Sequence, residues 1–230
     1  MLQLRRKFVL LIILTIVAEC CFARAGGGGA GAAVAGGILT VILAFVLAPF
    51  IFIYAIIMTV LWRRKKRRAE HLANKLAEGD KMWNLHDMKA RVELAFFKVQ
   101  HAWMERNQEL AREYMSQHIY EKHKAQTDAM ISAGTKNILT GMNILNIMIT
   151  SVEDYADNSR DAFVALIKGR MTDYHIDEQT KQVIKGNASK AEYFEELWRF
   201  IRVNDTWVLD EIDQEVSTGD LAYARAYTHK

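Results

Sequence analysis

Residues 191–214 read "AEYFEELWRFIRVNDTWVLDEIDQ", and the meaning of this stretch decides the fold. Taken alone, Glu195-Glu196-Leu197 could open a helix. The residues that follow argue otherwise, because two apolar, aromatic-rich runs, Ala191–Val203 and Thr206–Gln214, flank Asn204-Asp205. Asn and Asp tolerate the left-handed backbone that a two-residue hairpin turn requires, so the pair reads as a tight turn and the runs as antiparallel strands. Working upstream, "MNILNIMITSVEDY" (Met142–Tyr155) and "RDAFVALIKGRMTDYHID" (Arg160–Asp177) are also rich in β-branched and aromatic residues, with the turn-like "ADNS" between them. A meander therefore occupies the C-terminal half.

Helical spacing precedes it. Val92, Ala95, Phe96, Val99, Ala102, Trp103, Leu110 and Tyr114 recur every three or four residues, which predicts one amphipathic helix from about His86 to Met115. A shorter helix is expected from Gln117 to Ala133, stopped by Gly134. Helices followed by an antiparallel sheet predict an α+β domain with the helices packed on one face.

The N-terminal third is different. Met1–Ala25 has a basic start, an apolar run from Phe8 to Ala18 and the small-residue pattern Ala23-Arg24-Ala25, the layout of a signal peptide. Gly26–Gly37 is low-complexity and reads as a spacer. Ile38–Trp62 has 25 residues without a charge, enough to cross a hydrocarbon core of about 30 Å. Six cations follow, Arg63, Arg64, Lys65, Lys66, Arg67 and Arg68, with Trp62 at the interfacial position. By the positive-inside rule the chain is a single-pass protein of the cell (inner) membrane with its C-terminal domain in the cytoplasm. Residues 63–86 form a basic juxtamembrane segment with a weak helical stripe, and 215–230 a frayed tail.

Charge is unevenly divided. The chain carries 30 Lys and Arg against 27 Asp and Glu, yet residues 69–230 hold 20 cations and 26 acids, a net of −6. Nucleic-acid binders place cations on the folded domain, so nucleic acid is not expected as a partner except through a ribosome. The basic block is expected to meet anionic lipid headgroups. Cys20 and Cys21 are the only cysteines, leaving residues 22–230 without a thiolate nucleophile or cysteine metal site. His118 and His123 are five apart, the wrong spacing for two imidazoles on one helical metal site. Asp173, His175 and Asp177 share one face of a strand, the arrangement an acid–base pair needs, but they fall near a strand end. Glu195 and Glu196 lie on opposite faces. No catalytic residue, metal or cofactor is assigned.

Three segments carry a resemblance: "FFKVQHAWMERNQELAREYMSQHIYEKHKAQTDAM", "SVEDYADNSRDAFVALIKGRMTDYHID" and "FEELWRFIRVNDTWVLDEI". In order and spacing they resemble the Tim44-like domain over roughly Asp87–Gln214. That domain belongs to the peripheral subunit of the mitochondrial import motor, a mitochondrial ribosomal protein and bacterial membrane proteins. The resemblance implies a cone-shaped fold like nuclear transport factor two, with a curved antiparallel sheet, a pocket at the wide end and no enzymatic activity. It implies a tethering module linked to protein translocation, membrane-protein assembly or a ribosome; a lipid or small apolar ligand in the pocket is the alternative. Phe96, Trp103, Phe163, Phe194, Trp198 and Trp207 are the candidates to line that pocket. Motor members recruit a chaperone through a long N-terminal region, whereas this sequence carries a leader, a spacer and a membrane helix there.

Overall fold

The computed structural model describes residues 30–214 and 227–229; the segment read as a signal peptide and most of the expected tail lie outside them. Helix α1 spans Ala30–Ala77, taking in part of the stretch read as a spacer, the apolar run with Pro49 inside it, and the whole basic block. It ends beside Glu78–Lys81, where Gly79 and Asp80 both donate to the Leu76 carbonyl. Among the described residues one helix is long and apolar enough to cross a membrane, Leu43–Ala77. The last turns of α1 are domain structure, because Ala69 and Ala73 are fully buried in the core and Leu72 and Leu76 pack against it. Glu70 of α1 also accepts from Lys89 at 3.1 Å.

Helix α2 spans Leu85–Glu105, with the Asn84 side chain accepting from His86 and Asp87 at its N-terminus. Its inward stripe is the expected one: Val92, Ala95, Phe96, Val99 and Ala102 are buried. The helix stops ten residues before the spacing suggested. Arg106 adopts a left-handed conformation (φ 52°), and its guanidinium is held by both oxygens of Glu178 at 2.7 Å and by the Thr135 carbonyl. Asn107 then caps a separate 3₁₀ segment, Gln108–Tyr114, in which Leu110 faces solvent. Helix α3 spans Gln117–Ser132. Gly134 beyond it has φ +64°, as expected of a helix stop.

The sheet consists of β1 (Thr135–Tyr155), β2 (Ala162–Asp177), β3 (Val183–Gly186), β4 (Glu192–Val203), β5 (Thr206–Asp213) and β6 (Tyr227–His229). Its order is β5-β4-β2-β1-β6, with β3 continuing the β2 edge beyond β4. All pairings are antiparallel except β1 with β6. The expected α+β architecture is therefore present, with α2 and α3 packed on β1 and β5. Asn204 and Asp205 both have positive φ, 47° and 55°, as a mirror-image turn demands. Near the end of the segment read as a tail, Tyr227–His229 forms β6 and pairs with Glu153–Tyr155.

Strand β1 contains three register shifts against β2, after Thr140, Ile144 and Ile149, each adding one residue on the β1 side. Each bulge bends the strand and resets which side chains face inward. The core-facing positions accordingly run Asn137, Leu139, then Met142, Ile144, then Ile147, Ile149, then Val152. Gly141, at φ +61°, supplies the first bulge.

Gly169 on β2 lies under a ring. A Cβ there would sit 2.5 Å from Phe194 Cζ and 2.8 Å from the Asn143 carbonyl oxygen. Gly169→Ala should therefore destabilise the domain by about 1–3 kcal/mol, read as a lower urea midpoint. Phe194→Leu in the same chain should restore only part of the loss, because the backbone oxygen stays in place.

Candidate functional site

Helices α2 and α3 meet the open ends of β1, β2, β3 and β5 around a cavity of about 370 Å³. Local chemistry sets each wall. Ser116 caps α3: its hydroxyl accepts from the Ile119 amide and donates to Asp210, while its own amide donates to the Leu209 carbonyl at 2.7 Å. That anchor fixes the rotation of α3, so Ile119, His123 and Thr127, one turn apart, all point inward. From α2, Val99, Gln100 and Trp103 reach the same space.

On the sheet, Asn137, His175 and Lys185 are register partners across β1, β2 and β3, and Leu139 faces Asp173 in the next row. All five line the cavity. A relay of hydrogen bonds orders this wall. Trp103 Nε1 donates to Asn137 Oδ1 at 3.0 Å, and Asn137 Nδ2 donates to Asp173 Oδ1 at 2.6 Å and to the Tyr174 carbonyl. The Asp173 carboxylate is thus engaged by Asn137. Asp177, which the spacing placed on the same face, turns to the Thr180 and Gln179 amides instead. The acid–base pair conceivable around His175 is not assembled. Among the described residues no group of three His, Cys, Asp or Glu side chains is placed to hold a metal.

Two titratable groups are buried here. His123 is 8% exposed, lies 5.2 Å edge-on from the Trp103 ring, and its Nδ1 has no hydrogen-bond partner among the described residues. Burial, reinforced by the charge of Lys122, lowers its pKa to about 4. Glu196 is 4% exposed on β4, accepting from Trp198 Nε1 at 2.8 Å and from the cavity-lining Gln214 at 3.1 Å. Burial raises its pKa.

The two run in opposite directions with pH. An imidazole whose pKa falls from about 6.5 unfolded to about 4 folded leaves stability intact above pH 6.5 and removes it as pH drops toward 4, by about 3 kcal/mol in all. Glu196 regains stability on protonation over its own raised range. Subtracting the stability profile of His123→Gln from that of the unaltered chain isolates the histidine. The difference should be flat above pH 6.5 and fall below it; parallel profiles would show that His123 is not responsible.

The six aromatic candidates do not converge. Trp103 lines the cavity. Phe96, Phe163 and Trp198 are fully buried and belong to one column: Phe194 stacks on Phe96 (5.7 Å), Phe96 meets Trp198 (5.4 Å), and Phe163 stacks on Phe200 (5.0 Å). Trp207 closes the column against Phe163 and Trp83, each at 4.9 Å, and borders a second depression with Asp80, Arg91 and Arg202. Of the membrane-surface candidates, all on α1, Arg63, Arg64, Arg67 and Arg68 are exposed, while Trp62, Lys65 and Lys66 are half-buried. His123 and Asn137 were not singled out as cavity residues by sequence. Only the i, i+4 step from Ile119 to His123 on an apolar stripe hinted at the former.

A family model for the Tim44-like domain matches residues 70–214. The chain belongs to this family. The matched Tim44-like region begins at Glu70, upstream of the Asp87 boundary read from sequence and within the turns of α1 that enter the core. Among solved structures, the crystal structure of the intermembrane space region of chloroplast protein ARC6 is similar, with 12% identity and a TM-score of 0.37, over 53% of this chain and 92% of that one. No curated protein matches the sequence. Membership of the Tim44-like family and the apolar helix together describe a membrane-associated binding or scaffold module.

Proposed function

We propose that this protein is a membrane-anchored tether: α1 fixes it in the inner membrane, and the Tim44-like domain, on the cytoplasmic side, holds a protein partner there. The partner class is a translocation or insertion component, an assembly factor or a ribosome. One observation carries the reading. Helix α1 continues past the basic block, and its last turns lend Ala69 and Ala73 to the domain core, so the residues that follow the apolar run belong to the module. The exposed Arg63, Arg64, Arg67 and Arg68 suit anionic headgroups, at about 1 kcal/mol for each cation near the surface.

An apolar ligand in the cavity is less well supported. A wholly apolar ligand would offer nothing to Lys122 and Lys185 in the lining, and it would seal His123 Nδ1, which has no hydrogen-bond partner among the described residues, at a cost of about 1–3 kcal/mol. Quantitative mass spectrometry of proteins co-purifying in mild detergent tests the tether. The full chain should enrich a defined membrane-associated complex that a fragment ending at Ala77 does not. Identical sets from the two would overturn it.

A further inference from the structure

The cavity lining combines apolar, polar and charged side chains. Val99, Ile119 and Leu139 are nearly or fully buried and offer an apolar wall, to which Trp103 adds a ring held in place by its bond to Asn137. The exposed members of the lining are Lys122, Gln126, Asp173, Lys185 and Gln214. Lys122 on α3 and Lys185 on β3 both line the cavity, one from a helix and one from the sheet. Among the described residues neither has a carboxylate within ion-pairing distance, although Lys124, also on α3, is paired with Asp128 at 2.7 Å. Asp173 is the only carboxylate of the lining, and Asn137 already donates to it. The lining therefore carries two lysines against one aspartate, and its buried part joins Val99, Ile119 and Leu139 to the polar Asn137 and His123; at 370 Å³ the space suits a small molecule.

We propose that the cavity binds a small organic anion with a ring-sized apolar body, the body packing on Val99, Ile119, Leu139 and Trp103 and the acid group met by Lys122 and Lys185. The site does not depend on the tethering role, since a ligand can occupy it whether or not the domain holds a partner. His123 adds no charge to it, because burial keeps the imidazole neutral at physiological pH. Exposed lysines discriminate modestly, so an acid should be preferred over its neutral isostere by about fivefold to tenfold, and less at high salt.

The test uses the full chain in nanodiscs with 5-fluorotryptophan at its five tryptophans, the Trp103 fluorine resonance being assigned with Trp103→Phe. Three matched probes are titrated: phenylacetate, 2-phenylacetamide and 2-phenylethylamine. Phenylacetate should shift the Trp103 resonance saturably, and more tightly than the amide by the stated factor. Lys122→Gln with Lys185→Gln, both exposed and outside the core, should reduce phenylacetate to the affinity of the amide and leave the amide unchanged. The proposal is overturned if no probe shifts Trp103 saturably, if the amine binds best, or if the double variant keeps its preference for the acid.

Discussion

Arg202→Met is expected to lower the stability of the domain by about 3–5 kcal/mol, because it leaves a sealed carboxylate without its counter-charge. The Arg202 side chain is 7% exposed, and three aspartates surround it. Asp161, at 1% exposure, is the one that matters most: it lies 3.3 Å from Nη1 and also accepts the Tyr155 amide at 2.9 Å. Burial already raises its pKa, so removing the cation worsens an unfavourable position. Asp205 is 81% exposed and adds little. Asp80 links the guanidinium to the segment after α1, which Trp207 also holds through its Nε1 bond to the Met82 carbonyl. Adding Asp161→Asn should recover a large share of the loss while keeping an acceptor for Tyr155. Chemical denaturation of the four members of this cycle in mild detergent measures both effects. A single-variant loss below about 1 kcal/mol, or no recovery in the double variant, would contradict the argument.

Trp198→Ala should cost about as much, about 3–5 kcal/mol, for a different reason. Its ring is fully buried, at 5.4 Å from Phe96 and 6.5 Å from Phe200, in the middle of the aromatic column between helix and sheet. Removing it opens a cavity that rigid rings on either side cannot fill. Trp198→Phe separates packing from hydrogen bonding, since it keeps a ring but removes the Nε1 donor from Glu196. That variant should lose about 1–2 kcal/mol at neutral pH and less in acid, where a protonated Glu196 needs the donor less.

The meander was the legible part of the chain. Ile, Val and aromatic density marked β2, β4 and β5 to within one or two residues, and Asn204-Asp205 named its own turn because few residue pairs accept two positive φ angles. Strand β3 escaped notice because Val183–Gly186 is exposed, so no alternation was imposed on it. The premature end of α2 had no local signature either. It rests on Arg106 reaching Glu178, 72 residues away, and such a partner is invisible to spacing. The basic block hid the reach of α1, since six cations look like a boundary whereas the small Ala69 and Ala73 that follow are what the core receives. The cavity was hardest to foresee: large aromatics suggest a pocket, but they stack most favourably on one another, and the cavity falls to residues such as His123 and Asn137.

The bulges of β1 have a genetic corollary. Its inward set advances by two and then three residues in turn, so the strand is kept in phase by counting as much as by residue type. Deleting one residue at Gly141 would preserve Ile147–Val152 in the core yet turn the start of the strand inside out, presenting Lys136 and Ile138 where Asn137 and Leu139 now stand. The cavity wall would be lost without any of its residues having been changed. Variation in this domain should therefore tolerate many substitutions along β1 and few single-codon deletions.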